Sequence, residues 1–206
     1  MHNQELSETK DKEHVMGKVI YEISTSVDGF TTAADQTAEE PMGAGGQQLF
    51  AWASGDDEDG KQWLAASGRR TGASIVGRRT YDTSIPWWQA DGPGGELRTP
   101  TFIVSHTVPD DIPEGGVYTF VGSPLEAVEA AQAVAGDRSV DVFSSRIGNQ
   151  LLQVGKVDEI HLYVAPVLFG SGTPLFEALP AHVQLELLGV EQTAKTTYLR
   201  YRVASA

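Results

Sequence analysis

The sequence predicts an α/β fold: a mostly parallel central sheet flanked by helices, with an antiparallel hairpin at its C-terminal edge. Three observations carry this. Short apolar runs bounded by Gly, Asp or Ser recur along the chain and alternate with segments of helical register. A unit of strand, small residues, arginine and helix start occurs twice, ending at Gly77-Arg78 and at Ser144-Ser145-Arg146. The last two segments, 183–190 and 196–203, alternate apolar and polar residues across a short Gln-Thr-Ala-Lys connection, as a hairpin does.

The elements follow in order. Val19 to Ser24 (VIYEIS) is the first strand and runs into Ser26-Val27-Asp28-Gly29-Phe30, where Asp-Gly marks a turn. Glu22 sits inside that strand, a costly place for a carboxylate unless it faces a polar pocket or pairs with a lysine or arginine on a solvated edge. Residues 31–46, rich in Gly, Ala and acidic residues, form a loop suited to a flap. Residues 47–52 and 61–69 are helical, and the acidic run 56–59 between them is a surface loop or helix cap, since adjacent carboxylates without a partnering histidine are ordinarily solvated.

Ala73 to Val76 is a buried strand ending at Gly77, and a short helix opens at Arg78-Arg79-Thr80. Pro86-Trp87-Trp88 and a Gly/Pro-rich stretch then connect to Arg98, the tryptophans packing under a loop or covering a pocket. Strands follow at 101–105 and 117–121. Ser123 caps a helix over 124–135 with proline at its first position. Residues 139–143 are another strand, followed by a helix closed by Gly155. Asp158 to Leu168 is a long apolar strand interrupted by Pro166, and the chain turns at Gly170-Ser171-Gly172-Thr173-Pro174.

Composition narrows the function. The 206 residues are most simply one domain, here 17–206, after a polar N-terminal arm, 1–16, that lacks the apolar core of a signal peptide. A net charge of -13 repels nucleic acid and anionic membrane alike. The absence of cysteine removes disulfides, thiolate nucleophiles and cysteine zinc sites. The five histidines show no metal-ligand spacing, and His161 reads as a packed histidine. No run reaches the roughly 18 apolar residues of a membrane helix, so a soluble cytoplasmic protein with a small-molecule substrate is expected. The two arginine-bearing helix starts offer free backbone amides, a positive dipole end and guanidinium donors, which together suit phosphate.

Four pieces in order, SVDGF after the first strand, IVGRRTY, FIVSH, and the long VFSSRIGNQLLQVGKVDEIHLYVAPVLFGSGTPLF, resemble the dihydrofolate-reductase-like fold. The likeness covers residues 17–204. It is to stand-alone proteins similar to the C-terminal reductase domain of bifunctional riboflavin-biosynthesis deaminase/reductases. The resemblance implies NADPH as cofactor. It implies that Gly77, Arg78, Arg79 and Thr80 hold the 2′-phosphate and pyrophosphate, that Ser105 and His106 border the adenosine phosphate, and that Ser144, Ser145, Arg146 and Ile147 lie against the pyrophosphate. Ser24 would approach the nicotinamide. By the same likeness Glu22 faces the substrate pocket opposite Tyr163, and Glu22, with Asp28 or Tyr163 through water, orients substrate and supplies a proton. A homodimer is expected from the likeness and from the apolar strand Ile160 to Leu168.

The chain departs from the family at three points. Ser144-Ser145 stands where relatives carry Gly-Gly, Phe143 where the riboflavin-pathway reductases have a preceding glutamate, and the helix carboxylate of true dihydrofolate reductases has only Asp57 and Asp59 as candidates by proximity. Two functions follow: an NADPH-dependent reductase of a small pterin- or pyrimidine-like heterocycle or carbonyl compound, or a non-catalytic or cofactor-binding relative disabled at the serine pair.

Overall fold

A computed structural model describes residues 16–53 and 57–204; the expected arm lies almost wholly outside the described residues. An eight-stranded sheet forms the centre. Its strands are β1 (Val19–Ser26), β3 (Thr71–Gly77), β4 (Thr101–Val104), β5 (Tyr118–Val121), β6 (Ser139–Val142), β7 (Glu159–Ala165), β9 (Leu185–Gln192) and β10 (Thr197–Val203). Two short strands, β2 (Phe30–Ala33) and β8 (Gly172–Pro174), pair antiparallel in a separate ribbon. The helices are α1 (Glu58–Arg70), α2 (Arg78–Trp88), α3 (Pro124–Ala135) and α4 (Ser145–Gln153).

The spatial order is β5-β4-β3-β6-β1-β7-β10-β9. All pairs from β5 to β7 are parallel, while β10 joins β7 and β9 antiparallel. This is the mostly parallel sheet with an antiparallel edge hairpin that the alternation predicts. From β3 the chain moves outward through α2 to β4, whereas from the adjacent β6 it moves the other way through α4 to β7. Adjacent strands whose connections diverge make a topological switch point, with a crevice at their carboxyl ends. Right-handed crossovers place α1 and α2 on one face and α3 and α4 on the other.

The period-2 alternation of the strands divides the sheet into two chemically unlike faces. Under α3 and α4 lie Tyr21, Ala73, Ile75, Val140, Val142, Ile160 and Leu162, packed with Val128, Ala131, Ala135 and Leu151. Parallel pairing puts partners on one face, and the pairs Ile20↔Asp141, Glu22↔His161 and Ser24↔Tyr163 place those polar residues on the opposite face. That face is covered by α1, whose Ser67 and Arg70 reach Glu22.

Several boundaries differ from the sequence expectation. Residues 46–50 form a single 3-10 turn, not a helix to Trp52. Helix α2 runs on through Pro86 to Trp88, because a proline in the last turn removes only one amide from the ladder. The tryptophan pair therefore splits: Trp87 is 72% exposed, while Trp88 packs with Val76, Tyr81 and Ile103. The expected loop 31–46 contributes β2, and the expected turn 170–174 contributes its partner β8. Strand β7 ends at Ala165 and lies between β1 and β10 inside the sheet. The apolar run within β7 is thus explained by burial, while Leu168 beyond its end is exposed.

Gly148 shows how closely α4 approaches the sheet, since a Cβ there would lie 2.5 Å from the Tyr21 ring. Gly148→Ala is expected to lower stability by about 1–3 kcal/mol through overpacking, measured by denaturant unfolding.

Candidate active site

Two helices begin side by side at the carboxyl ends of β3 and β6, and neither start is closed by a side chain. Gly77 precedes α2 and Ser144 precedes α4, each without a side-chain capping bond. The other two α-helices are capped: Asp57 accepts from the Gly60 amide of α1 at 3.0 Å, and Ser123 from the Glu126 amide of α3 at 3.2 Å. First-turn amides at α2 and α4 therefore keep their hydrogen-bonding capacity and the positive end of each helix dipole.

The two starts also touch. A Cβ on Gly77 would lie 3.1 Å from Ser144 Oγ and 3.4 Å from Ile147, so glycine keeps this gap open. Ser144 Oγ sits between them, 3.5 Å from the Thr80 hydroxyl. Ser144 has φ -138 and ψ 120, extended backbone that any residue adopts. The Ser145 hydroxyl donates to the Pro174 carbonyl at 2.8 Å and ties α4 to β8. The serine pair thus divides: one hydroxyl faces the crevice, and the other is structural.

The arginines are arranged unequally. Arg78 Nε donates to Asp82 at 2.7 Å and its Nη1 to the Thr107 carbonyl at 3.0 Å, bracing α2 against the loop after β4. Arg79, Arg146 and His106 are exposed, and Ser105 Oγ donates to the Thr107 carbonyl at 2.6 Å. Phe143 packs beside Val76 and Tyr81 and brings no carboxylate to the site.

On the polar face of the sheet lies a second group of residues. Glu22 is 3% exposed. Its Oε1 accepts from Tyr163 Oη at 2.6 Å, its Oε2 accepts from Ser67 Oγ at 3.1 Å, and Arg70 pairs with the same oxygen. Arg70 also donates to Asp141 Oδ2 at 2.7 Å, which accepts in addition from Thr71 Oγ1 at 2.6 Å. Burial raises the Glu22 carboxyl to about 7, with the Asp141 charge pushing the same way and Arg70 and Tyr163 pulling against it. Burial opposes the charge on Arg70, but the two carboxylates outweigh it and raise the guanidinium. Burial, together with the Glu22 charge, raises Tyr163, which stays a neutral donor.

Tyr163 is the middle ring of a stack. Trp52 lies 3.8 Å from it at 9° and Tyr198 4.5 Å at 4°. Trp52 Nε1 donates to Ser24 Oγ at 3.1 Å, so the indole covers both Ser24 and the tyrosine. The Tyr198 hydroxyl meets His161 Nδ1 at 3.0 Å, and His161 Nε2 meets Glu159 at 3.0 Å. Burial holds His161 below its ordinary value, as suits a packed histidine.

The structure therefore brings Glu22 and Tyr163 into direct contact, with no water needed between them, but it separates Asp28 from both. Asp28 accepts from Ser26 Oγ at 2.6 Å and from the amides of Phe169 and Gly170 at 3.1 and 2.7 Å. The Ser26 bond leads in holding its carboxyl below the usual range, which suits a clamp and not a proton donor. Asp57 is a cap, further bonded by Thr193 at 2.7 Å. Sequence reasoning missed Arg70, Asp141 and Trp52. Asp141 had a visible signal: like Glu22, it is a carboxylate in the middle of an apolar strand.

A family model for the RibD C-terminal domain matches residues 17–199. The chain belongs to that family. No curated protein matches the sequence. Among solved structures, a protein assigned to riboflavin biosynthesis from Shewanella sp. PV-4 superposes with TM-score 0.71 at 20% identity, covering 92% of this chain and 100% of that one. RibD of Acinetobacter baumannii matches with TM-score 0.60 at 20% identity over 92% of this chain, which spans 58% of the longer RibD chain. The riboflavin biosynthesis reductase of Saccharomyces matches with TM-score 0.56 at 17% identity, over 92% and 91% of the two chains. At these identities the likeness establishes the RibD C-terminal, dihydrofolate-reductase-like fold.

Because native Glu22 holds its proton more tightly than the ordinary carboxyl at 4.5, the folded chain binds more protons than the unfolded one between 4.5 and about 7. Its stabilising contribution is complete below that window and is lost as pH rises through it. Glu22→Gln is expected to flatten this decline, by up to about 1.4 kcal/mol per pH unit, in unfolding measured across the window.

Proposed function

We propose that this chain is an NADPH-dependent reductase of a small pterin- or pyrimidine-like heterocycle or carbonyl compound. The observation that carries the reading is the pair of uncapped helix starts meeting at the switch point between β3 and β6. The residues present suit a phosphorylated dinucleotide: free first-turn amides, a glycine at the closest approach, and a hydroxyl on Ser144 facing the gap. In this reading Gly77, Thr80, Ser144 and the first turn of α4, Ser145 to Ile147, would hold the pyrophosphate. Arg78 and Arg79 would hold the 2′-phosphate, Ser105 and His106 would border it, and Ser24 would lie against the nicotinamide.

When bound, NADPH supplies hydride. The chain's own part is to orient the acceptor and provide a proton. Glu22, raised to about 7, is able to carry that proton at neutral pH, and Tyr163 fixes its orientation from Oε1. Trp52, stacked on Tyr163 and bonded to Ser24, keeps water away from this acid. Family membership and the reductases among its structural relatives support an oxidoreductase, and among the described residues no helix is long and apolar enough to cross a membrane, in keeping with a cytoplasmic enzyme. A homodimer belongs to this reading too, supported by the exposed Leu187 and Val190 on edge strand β9.

A second reading, a relative that has lost catalysis, is favoured by Ser144 Oγ standing in the crevice where the family carries glycine. Titration with NADPH and NADH, followed by tryptophan fluorescence, decides between them. Selective NADPH binding supports the reductase; binding of neither nucleotide selects the second reading. Arg79→Ala is expected to weaken NADPH about tenfold, ~1.4 kcal/mol, and to leave NADH unchanged, because only the phosphorylated ribose needs that guanidinium.

A further inference from the structure

The buried face under α1 poses a charge problem that its residues alone do not balance. Two carboxylates, Glu22 and the fully buried Asp141, converge on one guanidinium, Arg70. A single cation compensates one of them. An uncompensated buried carboxylate costs several kcal/mol, and two carboxylates sharing a site ordinarily share a proton.

The hydrogen bonds point the same way. Asp141 Oδ2 is bonded by Arg70 and Thr71, but Asp141 Oδ1 is buried without a partner. Fully buried carboxylate oxygens without a donor are rare and call for an explanation. Glu22 and Asp141 are hydrogen-bonding neighbours, so a proton on Glu22 gives Asp141 a further donor. We propose that Glu22 holds a buried proton against the Asp141 carboxylate, and that Asp141 is the positioning residue that keeps Glu22 in its acid form.

Among the described residues no other group facing the pair substitutes for that proton. From α1 come Ser67 and Arg70, from the start of β3 Thr71, from β7 Tyr163 and His161, and from β10 Tyr198. Of these only Arg70 is a cation: burial keeps His161 neutral, and Tyr198, pushed up to about 12, is a neutral phenol. The inference deepens the reductase reading, since it explains how an acid is kept ready at neutral pH behind Ser24 and Trp52. The proton itself is observable whether or not the chain binds a nucleotide.

Infrared titration of the whole protein between about pH 5 and about pH 9 reads the carboxylic C=O stretch directly. The expected result is one buried protonated-carboxyl band at neutral pH, absent in Glu22→Gln. In Asp141→Asn its midpoint moves down by about 1 unit or more, because Arg70 then serves Glu22 alone. A role for Asp141 in packing alone changes stability and leaves that midpoint in place. Absence of the band at neutral pH, or a midpoint indifferent to Asp141→Asn, overturns the proposal. If Asp141→Asn does not fold, Thr71→Val removes one donor from Asp141 and is expected to raise the midpoint; an unchanged midpoint there overturns the proposal equally. Failure of NADPH to bind would end the reductase reading while leaving the infrared result standing, so the two fail separately.

Discussion

One guanidinium serving two buried carboxylates is the constraint on which the rest of this molecule depends. Arg70 closes α1, reaches down onto the sheet, and is held there by Glu22 of β1 and Asp141 of β6. Removing Arg70 would leave a buried carboxylate without its partner, a loss typically of about 3–5 kcal/mol. The same contact fixes how α1 lies across the polar face. On the same face Trp52 lies over Tyr163 and is bonded to Ser24.

The contrast between the two faces explains how a fold can carry such a cluster. The face under α3 and α4 is a continuous apolar core in which Tyr21, Ile75, Val142 and Leu151 are wholly buried. Hydrophobic burial there stabilises the domain, at roughly 25 cal/mol per Å² of apolar surface. The opposite face is thereby free to hold polar and ionisable residues. Glu22, Asp141, His161 and Tyr163 occupy strand positions that would otherwise take Val or Ile.

Architecture was legible because it rests on local signals. Apolar runs, the Ser123-Pro124 helix start and the alternation of the last two strands each report on their own neighbourhood, and the sheet order follows from how such units pack. The ribbon of β2 and β8 was hidden, since its strands are short, polar and about 140 residues apart, and only pairing makes them strands. For the site, the two helix starts were visible as motifs, and Glu22 stood out as a carboxylate in a strand. Of its partners Tyr163 was named through the family likeness, but Arg70 gives no sign in a sequence of what it reaches, and the carboxylate of Asp141 acquires its meaning only when β6 is laid beside β1. Asp28 was misjudged for a related reason: its partners are backbone amides, which no residue pattern reports.

Those amide contacts give the site a division of labour by acidity. Asp28 ties the turn after β1 to the segment 169–170 that leads into β8, and its carboxyl ionises more readily than usual. Glu22, on β1 itself, ionises far less readily. Between those two limits the turn after β1 stays fastened while the buried acid is loaded, so mild acidification protonates one carboxyl without loosening the clamp made by the other.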